Sequence, residues 1–382
     1  MPTETLEILK LLVIKTGVYQ LSLGNVLMIG IGCGFIYLAI ARHFEPYELL
    51  AIGLGAILIN LPGHQVGVMS TEMQAAGVLG LISHFALFQN NLFPPLIFLC
   101  LGAMTDFGPL LANPRLILLG AAAQLGVFVA FFGALALGFD LKEAASIGII
   151  GGADGPTTVY ASAKLAPHLL GITAVTAYSY MGLVPVIQPP IMRLLTTQKE
   201  RKIKMKEMRK IPKLAKILLP LIMMIVIILL IPMSAPLVSM FMIGNIFRES
   251  GVVDRLTKSA QNELLNIVTI FLMLCIGLTL DANKVLNPVT LKILALGLVA
   301  FAIGTAGGIL LAKFMNLFSE NKINPLVGAA GISAVPMAAR LAHEMALKED
   351  PTNFLLMHAM GPNVAGVIGS AMVAGYFLSI LQ

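Results

Sequence analysis

Between Glu143 and Lys164 the sequence carries one charged side chain, Asp154, set in residues 148–160 as GIIGGADGPTTVY. A carboxylate among apolar neighbours is costly wherever water is excluded, so it faces a cavity or a partner. The opposite charge is offered by Arg340, the one Lys or Arg between Lys322 and Lys348. Small polar side chains lie in these Gly- and Pro-rich stretches or close to them: Thr157, Thr158, Tyr178, Tyr180, Asn324, Ser333 and Asn363. A carboxylate with hydroxyl, amide and carbonyl oxygens suits a hard cation such as Na+. A guanidinium suits a ligand that bears a carboxylate. The plain alternative is an ion pair of Asp154 with Arg340 that merely neutralises two buried charges; for Tyr178 and Tyr180 it is an ordinary place near a membrane interface. His168 and His343 lack partners at metal-ligand spacing, and His358, leading to Gly361-Pro362-Asn363, is a candidate proton carrier.

The elements that hold these residues follow from composition. Of 382 residues 58% are hydrophobic and 12% charged, with mean hydropathy +0.90. That balance predicts an all-α polytopic membrane protein, since about 20 apolar residues span a bilayer core. Apolar runs fall at 24–40, 47–61, 92–104, 117–137, 168–195, 217–231, 237–247, 267–280, 291–311 and 354–381, roughly ten segments. The run 117–137 reads as uninterrupted, and Pro185, Pro189 and Pro190 kink the run 168–195. Residues 64–74 read as a polar loop, 75–88 as a re-entrant or interfacial piece, and the N-terminal residues to about Val18 as an interfacial helix rather than a cleaved signal peptide.

The net charge of +6 is local: 10 of the 25 Lys and Arg residues lie between Arg193 and Lys216. This reads as a cytoplasmic loop under the positive-inside rule, with no nucleic-acid function implied. Cys33, Cys100 and Cys275 each sit in an apolar segment and imply neither a disulfide framework nor a metal site.

The chain also repeats itself. Gly148 and Gly151 with Pro156 match Gly328 and Gly331 with Pro336 at an offset of 180 residues. Gly102, Asp106 and Asn113-Pro114 match Gly277, Asp281 and Asn287-Pro288 at offsets of 174 to 175. Two ordered matches predict a duplication, and paired broken segments point to a site between inverted-topology repeats with broken re-entrant helices. The expected organisation is an N-terminal helix and first span (1–43), a first repeat (44–198), a basic loop (199–212) and a second repeat (213–382). In it Asp154 aligns with Ala334 and Tyr160 with Arg340.

MTDFGPLLANP (104–114), GIIGGADGPT (148–157), AYSYM (177–181), LVPVIQPPIM (183–192) and MGPNVAGVIGSA (360–371) closely resemble the β subunit of the sodium-ion-translocating, biotin-dependent decarboxylases of oxaloacetate, methylmalonyl-CoA and glutaconyl-CoA. The resemblance runs from about Leu92 to the C-terminus. It implies that carboxybiotin, carried in by a partner subunit, is decarboxylated within the membrane and drives Na+ outward. It places the central aspartate on Asp154, the family's Asn-x3-Gly-x4-Ser-x6-Arg pattern on Asn324, Gly328, Ser333 and Arg340, the second tyrosine of AYSY on Tyr180 and the asparagine of GPN on Asn363.

On this reading Asp154, Arg340 and Tyr180 are catalytic, Asp154, Asn324, Gly328 and Ser333 bind sodium, and Arg340, Asn363, Asn324 and Tyr178 meet carboxybiotin. No biotin is expected on this chain, because Met205-Lys206-Glu207-Met208 lacks the Gly-containing β-hairpin setting of a biotinylated lysine. The implied partners are carboxyltransferase and biotin-carrier subunits, a small γ membrane subunit, membrane lipid and further β copies. The implied place is the bacterial inner membrane, with the N-terminus cytoplasmic and the C-terminus outside. The competing reading is a sodium-coupled secondary transporter of a carboxylate, whose site would be built alike.

Overall fold

The structure is a computed structural model that describes residues 17–62, 77–89 and 91–382. The polar loop 64–74 and most of the expected N-terminal interfacial helix lie outside the described residues. Every regular element described is helical. Among the described residues seven helices are long and apolar enough to cross a membrane: Leu23–Arg42, Leu116–Ala136, Pro167–Leu195, Lys213–Leu230, Asp254–Leu278, Pro288–Leu317 and Leu356–Leu381. Two shorter apolar helices, Pro46–Asn60 and Phe93–Met104, accompany them. The chain is an all-α polytopic membrane protein.

The chain divides into two compact units, Met1–Asn90 with Thr269–Thr290, and Asn91–Val268 with Leu291–Gln382. In the first, Ser22 caps helix Leu23–Arg42 through a reciprocal box with Asn25. Buried Asn60, at the end of helix Pro46–Asn60, donates to Leu280 O at 2.8 Å and accepts from Ala282 N at 3.0 Å. One amide side chain thus satisfies two backbone groups where a helix stops in an apolar setting. The piece expected at 75–88 is described from Val78 as a short helix, Val78–Ser83, followed by a π-helical turn, His84–Gln89.

The second unit holds every candidate catalytic, sodium-binding and carboxybiotin-binding residue. Lipid offers no hydrophobic gain for bringing apolar helices together, so close packing and small residues must hold them. Helices Phe93–Met104 and Ala235–Ser250 meet this way: a Cβ on Gly102 would lie 1.9 Å from Phe241 O, and one on Gly244 2.0 Å from Leu99 O. Phe98, Phe107 and Phe241 fill the space beside the crossing. In helices Pro167–Leu195 and Leu356–Leu381, 67% and 61% of the apolar stretch is buried, against 11% for Lys213–Leu230. The first two are interior helices of this unit, and Lys213–Leu230 presents its surface outward.

The run 117–137 forms one candidate span, Leu116–Ala136, within which the helix tightens for one turn at Gln124, between Leu116–Ala123 and Leu125–Ala136. There Gln124 N bonds Ala121 O, three residues back, while its side chain donates to Gly366 O at 3.1 Å. A buried amide that finds its partner on another helix draws the backbone out of the regular ladder.

Candidate functional site

Helix Leu141–Ile150 opens with a capping box, Asp140 Oδ1 accepting from Glu143 N at 2.7 Å and Glu143 Oε2 accepting from Asp140 N at 3.1 Å. It ends in tight turns, with Gly151, Gly152 and Ala153 each bonding the carbonyl three residues back, and Ala153 turns to φ +56°. Asp154 then adopts an extended backbone and starts helix Gly155–Leu165 as its N-cap, with Pro156 in the first turn, where no amide donor is needed. Gly155 has a steric reason as well: a Cβ there would lie 2.4 Å from Tyr178 Cε1. The Gly- and Pro-rich stretch is therefore a break between two half-helices, as its composition led us to expect.

The second break has the same form. Asn324 caps helix Pro325–Ala329, the chain turns through residues 330–336, and helix Met337–Glu349 follows. Asn363, fully buried on helix Leu356–Leu381, donates through Nδ2 toward Ile332 O at 2.7 Å, Ala330 O at 3.0 Å and Ala334 O at 3.4 Å. It thereby serves carbonyls that a broken helix leaves without partners. The two breaks touch: Ser333 N donates to Gly152 O at 3.0 Å.

Asp154 lies at this junction, 4% exposed. Its Oδ1 accepts from Thr157 N at 3.1 Å and its Oδ2 from Ser370 Oγ at 2.6 Å, with Ser333 Oγ 3.4 Å from Ser370 Oγ. Among the described residues no Lys, Arg or His forms an ion pair with it. Among the described residues Asn363 Oδ1 is a buried oxygen without a hydrogen-bond partner, and Thr157 Oγ1 lies beside the Asp154 carboxylate. A single carboxylate, two serine hydroxyls and spare oxygens on adjoining residues make a donor set suited to a monovalent hard cation, and one that can equally hold a proton.

The structure brings Asp154, Ser333 and Asn363 into one bonded neighbourhood, and Tyr178 beside it through Gly155. Other candidates are placed elsewhere. Arg340 is exposed on helix Met337–Glu349, so the simple ion pair with Asp154 is absent. Asn324 directs Nδ2 to Arg201 O and Ile203 O, both at 2.8 Å, tying the basic loop to the second break. Tyr180 donates its hydroxyl to Leu294 O and lies against Gly297. Gly328 permits contact with helix Pro288–Leu317, since a Cβ there would lie 2.1 Å from Gly308 O. Residue reasoning missed Ser370, Gln124 and Gln188, whose Nε2 donates to Ala329 O at 2.7 Å. The one available signal for Ser370 was its place in MGPNVAGVIGSA, eight residues before which stands Pro362.

The family comparison matches this architecture over almost the whole sequence. Residues 24–381 match the model of the Na+-transporting oxaloacetate decarboxylase beta subunit. The chain belongs to this family. It is 56% identical to the methylmalonyl-CoA decarboxylase subunit beta of Propionigenium modestum, covering 96% of this chain and 97% of that one. It is 52% identical to the glutaconyl-CoA decarboxylase subunit beta of Acidaminococcus fermentans, covering 96% of each. It is 50% identical to a probable oxaloacetate decarboxylase beta chain of Pasteurella multocida, covering 96% and 97%. In this beta subunit of the Na+-transporting decarboxylases, Asp154 is a buried carboxylate with no ion pair among the described residues.

Proposed function

We propose that this chain is the membrane subunit in which carboxybiotin, delivered by a biotin-bearing partner, loses CO2 while Na+ is moved outward. The observation that carries the reading is Asp154: buried, without a counter-charge among the described residues, hydrogen-bonded by Ser370 and Thr157, and seated where the two helix breaks meet. Breaking the N–CO2 bond leaves an electron pair on the ureido nitrogen, which takes up one proton as CO2 departs. Asp154 holds Na+ while ionised and a proton once Na+ has gone, so the same group serves ion and chemistry in turn.

Within this reading Ser333 and Ser370 give neutral oxygens to the ion, and Asn363 fixes the carbonyls of the second break. Asn324 and Gly328 shape the sodium site through the backbone they anchor. Arg340 meets the incoming carboxylate, and Tyr178 and Tyr180 flank its path. The repeats 44–198 and 213–382 are inverted copies around this site, in the bacterial inner membrane, with the basic loop and N-terminus cytoplasmic and the C-terminus outside. Carboxyltransferase and biotin-carrier subunits, a small γ subunit and further β copies complete the assembly.

The test is CO2 release from carboxybiotin by the protein in proteoliposomes, with and without Na+, while radioactive sodium is followed. Release that needs Na+ and moves it is expected, and Asp154→Asn should abolish both. Sodium entering with an added carboxylate while carboxybiotin stays intact would overturn the reading in favour of a secondary transporter.

A further inference from the structure

The basic loop does more than mark a membrane face: it walls a half-open cavity of about 610 Å³ with Arg115, residues 203–209, residues 320–323 and His358. Five of the lining side chains are cations, Arg115, Lys204, Lys206, Arg209 and Lys322, against two acids, Glu207 and Glu320. Part of this charge is already engaged, since Lys204 pairs with Asp350 at 3.1 Å and Arg209 donates to Leu111 O at 2.9 Å. Lys206 and Lys322 form no ion pair among the described residues, and both are exposed.

Among the described residues His358 is the one buried polar side chain in the lining, 9% exposed, and its Nδ1 has no hydrogen-bond partner there. It is the third residue of helix Leu356–Leu381, which places the cavity at the end of a candidate span. An excess of cationic lining side chains and a buried unpaired nitrogen suit a group with several acceptor oxygens and negative charge. The volume exceeds that of inorganic phosphate and falls within the ordinary range of ligand pockets.

We propose that this cavity binds a phosphate-bearing anion, held by Lys206, Lys322 and His358, of the kind found in acidic phospholipid headgroups. The test is thermal unfolding of the full chain in neutral detergent, titrated with dioleoyl phosphatidylglycerol, with phosphatidylcholine as the neutral lipid and glycerol 3-phosphate as a soluble competitor. Phosphatidylglycerol should raise the midpoint. The pair Lys206→Gln with Lys322→Gln should need about 30-fold more of it for the same shift, and His358→Leu should weaken the response without altering the loop's charge. The pair Lys199→Gln with Lys202→Gln, in the same loop but outside the lining, should respond as the original chain does. If glycerol 3-phosphate displaces the lipid with the same dependence on Lys206 and Lys322, the site stands and takes its anion from solution as well. Equal loss of response in both pairs, or equal stabilisation by phosphatidylcholine, would overturn the proposal in favour of diffuse attraction or of none.

Discussion

Ser370 places a hydroxyl 2.6 Å from the carboxylate of Asp154. A hydrogen bond to a charged group contributes about 1.5–3 kcal/mol, and this one favours the ionised form that Na+ needs. Ser370→Ala should therefore let the proton compete better and raise the Na+ concentration for half-maximal decarboxylation about tenfold or more. A sodium titration of activity at fixed pH checks this, and an unchanged half-saturation would take Ser370 out of the ion's surroundings. Asp154 was visible in the sequence because an isolated charge in an apolar, Gly-rich stretch is conspicuous. Ser370 was not, because a serine between Gly369 and Ala371 reads as small-residue helix packing. Asn324 shows a second limit of spacing: it sets a residue near a break, but which way its amide points depends on backbone contributed by the distant loop at Arg201 and Ile203.

Elements were legible where glycine and proline mark them and hidden where they do not. Both breaks announce themselves in composition, whereas the tightened turn at Gln124 lies in Ala-Ala-Gln-Leu and arises from a bond to another helix. The attachment of the basic loop was equally hidden. Asn324 and Asn353 both donate to the carbonyls of Arg201 and Ile203, Arg201 pairs with Glu349 at 2.7 Å, and Lys204 with Asp350 at 3.1 Å. The hydroxyl and amide of Thr352, then Lys204, hold Asp350 down at about 2, and Arg201 holds Glu349 below the usual carboxylate range. Groups lowered in the folded state stabilise the attachment above their unfolded value and release it as pH falls through the folded one. Pepsin should therefore leave residues 201–212 largely intact near pH 4 and cleave them increasingly toward about pH 2. With Asn324→Ala and Asn353→Ala together, cleavage should already be rapid near pH 4; equal resistance of both chains would show that the asparagines do not hold the loop.

At the scale of the molecule, composition alone made the polytopic helical class readable, because no soluble core needs apolar runs of this length and number. It could not show which helices are interior, since lipid and protein interior select the same residues; burial separates Pro167–Leu195 from Lys213–Leu230 only in three dimensions. The proposed inverted repeats with a cytoplasmic basic loop imply an external C-terminus. A cysteine replacing Gln382 should then react with an impermeant maleimide added outside intact cells, and labelling only after the cytoplasmic face is opened would reverse the topology. The bond from Ser333 N to Gly152 O bears on how such a molecule can alternate. Parting the two turns would strand an amide and a carbonyl away from water, at a cost of about 1–3 kcal/mol for each. The seat of the carboxylate is thus fastened by backbone from both breaks, and any rearrangement that separates them must first make good that loss.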